Sequence, residues 1–252
     1  MHLSFAGCGF LGIYHLGAAR ALTKCGVMSQ VDKMAGASAG SLIAALFTCV
    51  PDAAEDCTKF IYNLAKEVRA KPLSVFTPGY DVLDSVHDYM SQILPQDCHL
   101  RASHRTYISL THVQKRKYSH HLVSEFKSKD ELIACLLASC FIPGQSGFKI
   151  PVINGKKYLD GGMTNNLYIF PDGRTIAVNP FSGGKDICPV DNKGFGWFMT
   201  FQETQYHINL HNMHRLVRAI LPNSHEEMKA YYKRGYDDAI QFLRKHPDIC
   251  CV

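Results

Sequence analysis

His2-Leu-Ser-Phe-Ala-Gly-Cys-Gly-Phe-Leu-Gly12 and, further along, Lys33-Met-Ala-Gly-Ala-Ser-Ala-Gly40 carry the reading of the fold. The first is a short apolar run closed by glycine, followed by helix-period apolar positions from Ile13 to Cys25 that stop at Gly26. The second repeats the pattern, with a strand over about 33–37 feeding a helix that begins near Ser38. Strand, glycine turn, helix, strand, turn, helix is the signature of a parallel, two-sided sheet, so the expected fold class is α/β with a mainly parallel central sheet in a three-layer α/β/α arrangement.

The remainder of the chain fits one domain over 1–252. Asp52-Ala-Ala-Glu55 and Ser128-Lys-Asp-Glu131 resemble capping boxes for helices reaching Ala70 and about Cys140. Pro72 to Gly79 breaks the chain before a helix over about 81–94. Runs rich in β-branched and aromatic residues flank Gln114-Lys115-Arg116 and predict a hairpin over 105–126. A strand over 174–179, a Gly/Pro-rich loop over 180–196 and two closing helices, about 203–221 and 225–245, complete the expectation. Five Lys/Arg without an acid between Arg101 and Lys117 read as a solvated hairpin tip, with a phosphate or anionic-lipid contact as the sharper alternative.

Composition removes several classes. The 252 residues are 46% hydrophobic and 19% charged, which excludes disordered and fibrous chains. A net charge of +5 is too mild for a nucleic-acid stripe. Ten scattered cysteines without a Cys-x-x-Cys pair, behind a start that lacks a basic signal region, read as free thiols in a reducing compartment. The longest charge-free run, residues 34–51, has Gly36, Ser38, Gly40 and Ser41 in its first half and is too polar to span a membrane, so a soluble protein is expected.

The chemistry centres on Gly36-Ala37-Ser38-Ala39-Gly40, a Gly-x-Ser-x-Gly between strand and helix. A nucleophilic serine there takes a strained turn that the flanking glycines permit, and it stands at a helix N-terminus that favours negative charge. The bland alternative is a small-residue turn packing a helix on a sheet. Gly7-Cys8-Gly9-Phe10-Leu11-Gly12 also matches the dinucleotide fingerprint, but the acid that would hold a ribose, Asp32, precedes the second strand instead of following it. The loop serves better as an oxyanion hole, with backbone N–H groups of Gly7 to Phe10 aimed at one oxygen. For a base, Asp160 follows a strand-like Lys157-Tyr-Leu159 and precedes Gly161 and Gly162; His15, one turn into the first helix, is the histidine to test. His207, His211 and His214 have ligand-like spacing without the Glu of a His-Glu-x-x-His motif, so no metal is expected. Phe10, Leu11, Phe141 and Ile142 are candidate apolar walls.

These three motifs, in this order, resemble the patatin-like phospholipases, lipid acyl hydrolases with a Ser-Asp dyad. Ser139-Cys-Phe-Ile-Pro143 and Asp186-Ile-Cys-Pro189 are similar to the animal branch containing adiponutrin and adipose triglyceride lipase. The resemblance implies Ser38 as nucleophile, Asp160 as base, the Gly7–Gly12 loop as oxyanion hole, Gly36 and Gly40 as the elbow glycines, and Gly161 and Gly162 as those of the aspartate motif. No cofactor is implied. Plant and bacterial members carry Arg or Lys at the position of Leu11, and its absence leans towards neutral acylglycerols such as triacylglycerol. The family further implies a cytoplasmic protein, peripheral at membranes or lipid droplets, with a protein coactivator as a partner. Longer members continue into an apolar droplet-binding tail, whereas this chain ends at Val252. Transacylation between glycerolipids and a weakly active lipid-binding regulator are the alternative activities.

Overall fold

The computed structural model describes residues 1–115, 117–191, 197–201 and 204–249. Its chain order is β1 (His2–Phe5), α1 (Gly12–Lys24), β2 (Lys33–Ala37), α2 (Ala39–Cys49), α3 (Ala54–Ala70), α4 (Val82–Ile93), α5 (Cys98–Ala102), β3 (Thr106–Gln114), β4 (Lys117–Val123), α6 (Lys129–Ser139), β5 (Val152–Ile153), β6 (Lys156–Asp160), β7 (Thr175–Val178), β8 (Phe198–Phe201), β9 (Thr204–His207), α7 (Leu210–Ile220) and α8 (His225–Lys245). Strands β7, β1, β2 and β3 pair in parallel, in that order, from one edge of a seven-stranded sheet. This is the α/β class expected. Beyond β3 the pairing turns antiparallel, through β4, β6 and β5.

The register along β3 positions the site. Ser109 pairs with Ala37 of β2 and with Leu122 of β4, and Leu110 with Asp160 of β6 and with His121 of β4. Since β4 occupies one edge of β3 from Ile108 to Gln114, β2 and β6 share the other edge and meet there end to end. β2 runs parallel to β3 and β6 antiparallel, so their carboxyl ends abut. Ser38 leaves one and Asp160 closes the other.

Both faces of the sheet are covered. Leu3, Phe5, Ile108, Leu110, Ile176 and Val178 enter one continuous core with apolar residues of α1, α2, α3, α4, α6 and α8. On the opposite face Ala6 and Ala177 meet Leu167, and Phe170 packs on His2 and Tyr107. Among the described residues no helix is long and apolar enough to cross a membrane.

Several local expectations change. Asp52 is not a cap: Pro51 opens a 3-10 turn over Pro51–Ala53, and α3 starts at Ala54 without a side-chain cap. Ser128 does cap α6, accepting from Glu131 N. The helix expected over 203–221 is instead a hairpin followed by α7, because Thr204 and Tyr206 pair across β8–β9 and Asn209 caps the helix by accepting from Asn212 N. Gln202, Glu203 and the end of the 180–196 loop lie outside the described residues, as does Arg116. The described residues of the basic run form no single patch. Arg101 and Arg105 lie before β3, whereas Lys115 and Lys117 lie beyond its far end, about 30 Å away along a nine-residue strand, and Arg101 is paired with Asp97.

Candidate active site

Ser38 sits where β2 ends and α2 begins, with φ 52° and ψ −131°, a left-handed conformation that L residues adopt only when held there. The turn is held from both sides. A Cβ on Gly36 would lie 2.2 Å from the Gly40 carbonyl carbon, and one on Gly40 would lie 2.2 Å from Phe5 O, so only glycine allows the elbow to close against β1. Ser38 N donates to Ser139 Oγ at 2.9 Å, and Ser139 Oγ donates to Ser109 O at 2.7 Å. That buried hydroxyl ties the elbow to β3 and replaces the strand bonds that the turn gives up.

The Asp160 side chain is buried at 5% exposure and lies against the Ser38 hydroxyl. Burial raises its pKa to about 6; hydrogen bonds from Ser38 and from Gly162 N (2.7 Å) oppose the shift without cancelling it. The result is a carboxylate largely ionised at neutral pH yet more basic than a solvated one. The Cys140 thiol also contacts Ser38, and burial pushes it and the Cys8 thiol up, so both stay protonated.

The glycine loop presents donors to the same place. The N–H groups of Cys8, Gly9 and Phe10 find no acceptor among the described residues, while Leu11 N bonds Cys8 O and Gly12 N bonds Gly9 O. Gly7 differs from the expectation: its N–H is taken by Asn166 Oδ1 at 3.0 Å, and Asn166 Nδ2 returns to Gly7 O and to Tyr206 Oη. Gly9 has φ +52°, and a Cβ there would meet Ala219 O of α7 at 2.1 Å. The loop is therefore packed directly on α7.

A cavity of about 940 Å³ connects these groups, lined by Cys8, Gly9, Phe10, Ser38, Asp160 and a long series of apolar side chains. Of the candidate walls, Phe10 and Ile142 line it; Leu11 is buried beside Cys8, Phe181 and Ala219, and Phe141 is buried and accepts Asp160 N on its carbonyl. His15 does not line it. Its Nε2 hydrogen-bonds Ala6 O at 2.7 Å, and burial lowers its pKa to about 4, so it is a neutral ring that holds the base of the loop. His207 stacks on Phe198 and His214 accepts from Arg218, and no group of three metal-ligating side chains forms among the described residues.

Asn166 and Ser139 were missed as site residues. Asn166 follows the aspartate motif by a few positions and carries no spacing signal; Ser139 could have been suspected only from its small size at the end of an apolar helix.

Residues 3–171 match the family model described as patatin-like phospholipase. The chain belongs to the patatin-like phospholipase family. Over 247 residues it is 42% identical to human patatin-like phospholipase domain-containing protein 4, covering 97% of each chain. It is 38% identical to rat patatin-like phospholipase domain-containing protein 2 and 33% identical to human 1-acylglycerol-3-phosphate O-acyltransferase PNPLA3, spanning 97% and 96% of itself and 51% and 50% of those relatives. This patatin-like chain thus has nearly the full length of the first relative and about half that of the other two.

Proposed function

We propose that the protein is a lipid acyl hydrolase that cleaves fatty-acyl esters through an acyl-enzyme on Ser38. The observation that carries this is the Ser38 hydroxyl on a strained elbow, against a buried carboxylate of raised pKa, in an apolar cavity. Ser38 Oγ attacks the ester carbonyl while Asp160 accepts its proton, and the N–H groups of Cys8, Gly9 and Phe10 stabilise the oxyanion. Asp160 then returns the proton to the departing alkoxide. In the second half-reaction Asp160 takes a proton from water, the water oxygen attacks the acyl carbon, and the proton passes to Ser38 Oγ as its bond to the acyl group breaks and the fatty acid leaves.

No Lys or Arg is among the described residues that line the cavity, so a phosphate would meet no fixed cation there. That favours neutral acylglycerols, triacylglycerol included, over phospholipids. The names of two relatives, the acyltransferase above and a mouse omega-hydroxyceramide transacylase 32% identical over 245 residues, support transfer to an alcohol as a second outcome of the same acyl-enzyme. The test is labelling with a fluorophosphonate and hydrolysis of a short fatty ester. Ser38→Ala should abolish both, and Asp160→Asn should cut turnover about a thousandfold or more while the double mutant is little worse. Unaltered turnover in Asp160→Asn would remove the dyad. Assaying triolein and diolein with separation of oleic acid from transacylated product decides between hydrolysis and transfer.

A further inference from the structure

The cavity has two unlike ends. Towards β9 and α7 its lining is exposed to solvent: Ile208 is 52% exposed, Met213 63% and Leu216 57%. Between α2, α3 and α4 the lining residues Leu46, Leu64, Val86 and Met90 are all buried. Ser38 lies between the two. The cavity is therefore a sleeve with a mouth at α7 and a blind arm beneath the helices, and the nucleophile stands where the arm begins.

We infer that the blind arm between α2, α3 and α4 is the acyl-chain site, and that Cys57, Phe60 and Tyr89 form the floor that limits chain length. The inference rests on the acyl-hydrolase reading and adds what the enzyme measures. Ser38 and Leu46, eight residues apart on α2, place the arm's length at about 12 Å. One acyl chain spans half of a hydrocarbon core of about 30 Å, so the arm is shorter than a long fatty chain but of the same order. The chain turns back from α2 through Pro51–Ala53 into α3, which puts Cys57, one turn into α3, at the far end of α2 from Ser38. Phe60, the next turn, stacks on Tyr89 of α4 with ring centroids 4.0 Å apart and planes 7° apart. That stack bridges the two helices across the end of the arm. The ester carbonyl would thus sit at Ser38 with the acyl chain pointing inwards, and the alcohol part would leave through the α7 mouth.

The test compares p-nitrophenyl esters from butyrate to stearate. Each methylene that the arm removes from water is worth about fourfold in kcat/KM, so the wild type should climb with length and then flatten once the arm is full. Leu46→Trp fills the arm and should lower the palmitate-to-butyrate ratio at least tenfold; Phe60→Ala opens the floor and should move the plateau to longer chains. Val86→Phe, from the α4 wall, serves as a second blocking variant should Leu46→Trp misfold. In Ser38→Ala protein, displacement of a fluorescent polyene fatty acid by unlabelled acids reads the arm without catalysis, and Leu46→Trp should weaken it at least tenfold. Fatty-acid binding that responds to the arm variants, without any Ser38-dependent hydrolysis, would uphold the channel and remove the hydrolase. Ser38-dependent hydrolysis whose chain-length ratio is moved by none of the folded variants would uphold the hydrolase and remove the channel.

Discussion

At the scale of single residues, Asp160 shows how the site trades stability for basicity. Its carboxyl pKa of about 6 lies above the 3.8 of a solvated aspartate, so ionising it inside the fold costs about 3 kcal/mol at pH 7. If it is the base, the acid limb of kcat/KM falls at about pH 6; a limb near pH 4 would show that another group sets the rate. Asp160→Asn should lose activity and raise the melting temperature at pH 7, because the amide fills the site uncharged and can still accept from Gly162 N. A melting temperature below that of the wild type would show that the ionised form is the stabilised one. Gly9→Ala tests the loop. The methyl group meets Ala219 O in a backbone conformation that alanine avoids, so the three N–H groups move and turnover should fall by about 10² to 10³. Wild-type activity in a folded Gly9→Ala protein would place the oxyanion elsewhere. Ser38, Asp160 and the glycines could be found in the sequence because a strained turn and a close approach constrain residue types over several neighbouring positions. Asn166 and Ser139 could not, since their bonds all run to chain segments far away in sequence.

At the scale of elements, α7 inverts the ordinary amphipathic arrangement. Asn212, Arg215 and Ala219 face inwards, while Leu210, Met213, Leu216 and Val217 are exposed. Polar bonds therefore seat it: Asn212 Nδ2 donates to Ser182 O and His207 O, and Arg215 pairs with Asp191 at 2.6 and 2.8 Å, with both side chains nearly buried. Arg215 helps to hold the Asp191 carboxyl well below the ordinary range against the cost of burial. Because α7 also packs on Gly9, releasing it should disturb the loop. Arg215→Ala strands a buried carboxylate at a cost of about 3 to 5 kcal/mol. The variant should melt lower, be cut by protease near α7 and lose esterase activity together with that seat. Proteolytic resistance and activity equal to wild type would show that the pair does not hold the helix. The period of α7 was legible in the residue pattern, but its start was not. Residues 204–207 pair as β9 instead of extending the helix, and alternation over four residues is too short to be told from a helical stripe. The sequence reading placed Asp160 at the end of a strand but not the antiparallel sense of that strand, which β6 takes from its hairpin with β5 and its pairing with β3.

For the molecule as a whole, the β1, β2 and α2 order was legible because buried parallel strands are short apolar runs closed by glycine. The meeting of β2 with β6 on one edge of β3 was not, since strand order follows from long-range pairing that no local pattern records. The fold also buries two titrating groups of opposite sign, His15 and Asp160, and their effects on stability oppose each other. His15, with a folded pKa of about 4 against 6.5 unfolded, stays neutral in the core; its contribution is present above pH 6.5 and is lost as pH falls towards 4, about 3 kcal/mol in all. Asp160, raised from 3.8 to about 6, acts in the reverse direction, because the folded chain binds its proton first and stability falls as pH rises through that window. Between pH 4 and 6 the two slopes nearly cancel. Removing one exposes the other: His15→Gln should gain stability relative to wild type as pH falls from 6.5 to 4, and Asp160→Asn should lose its advantage over the same range, with the double variant parallel to wild type. Melting temperatures measured across that range check this directly, and single variants that both run parallel to wild type would show that neither group is held uncharged by the core.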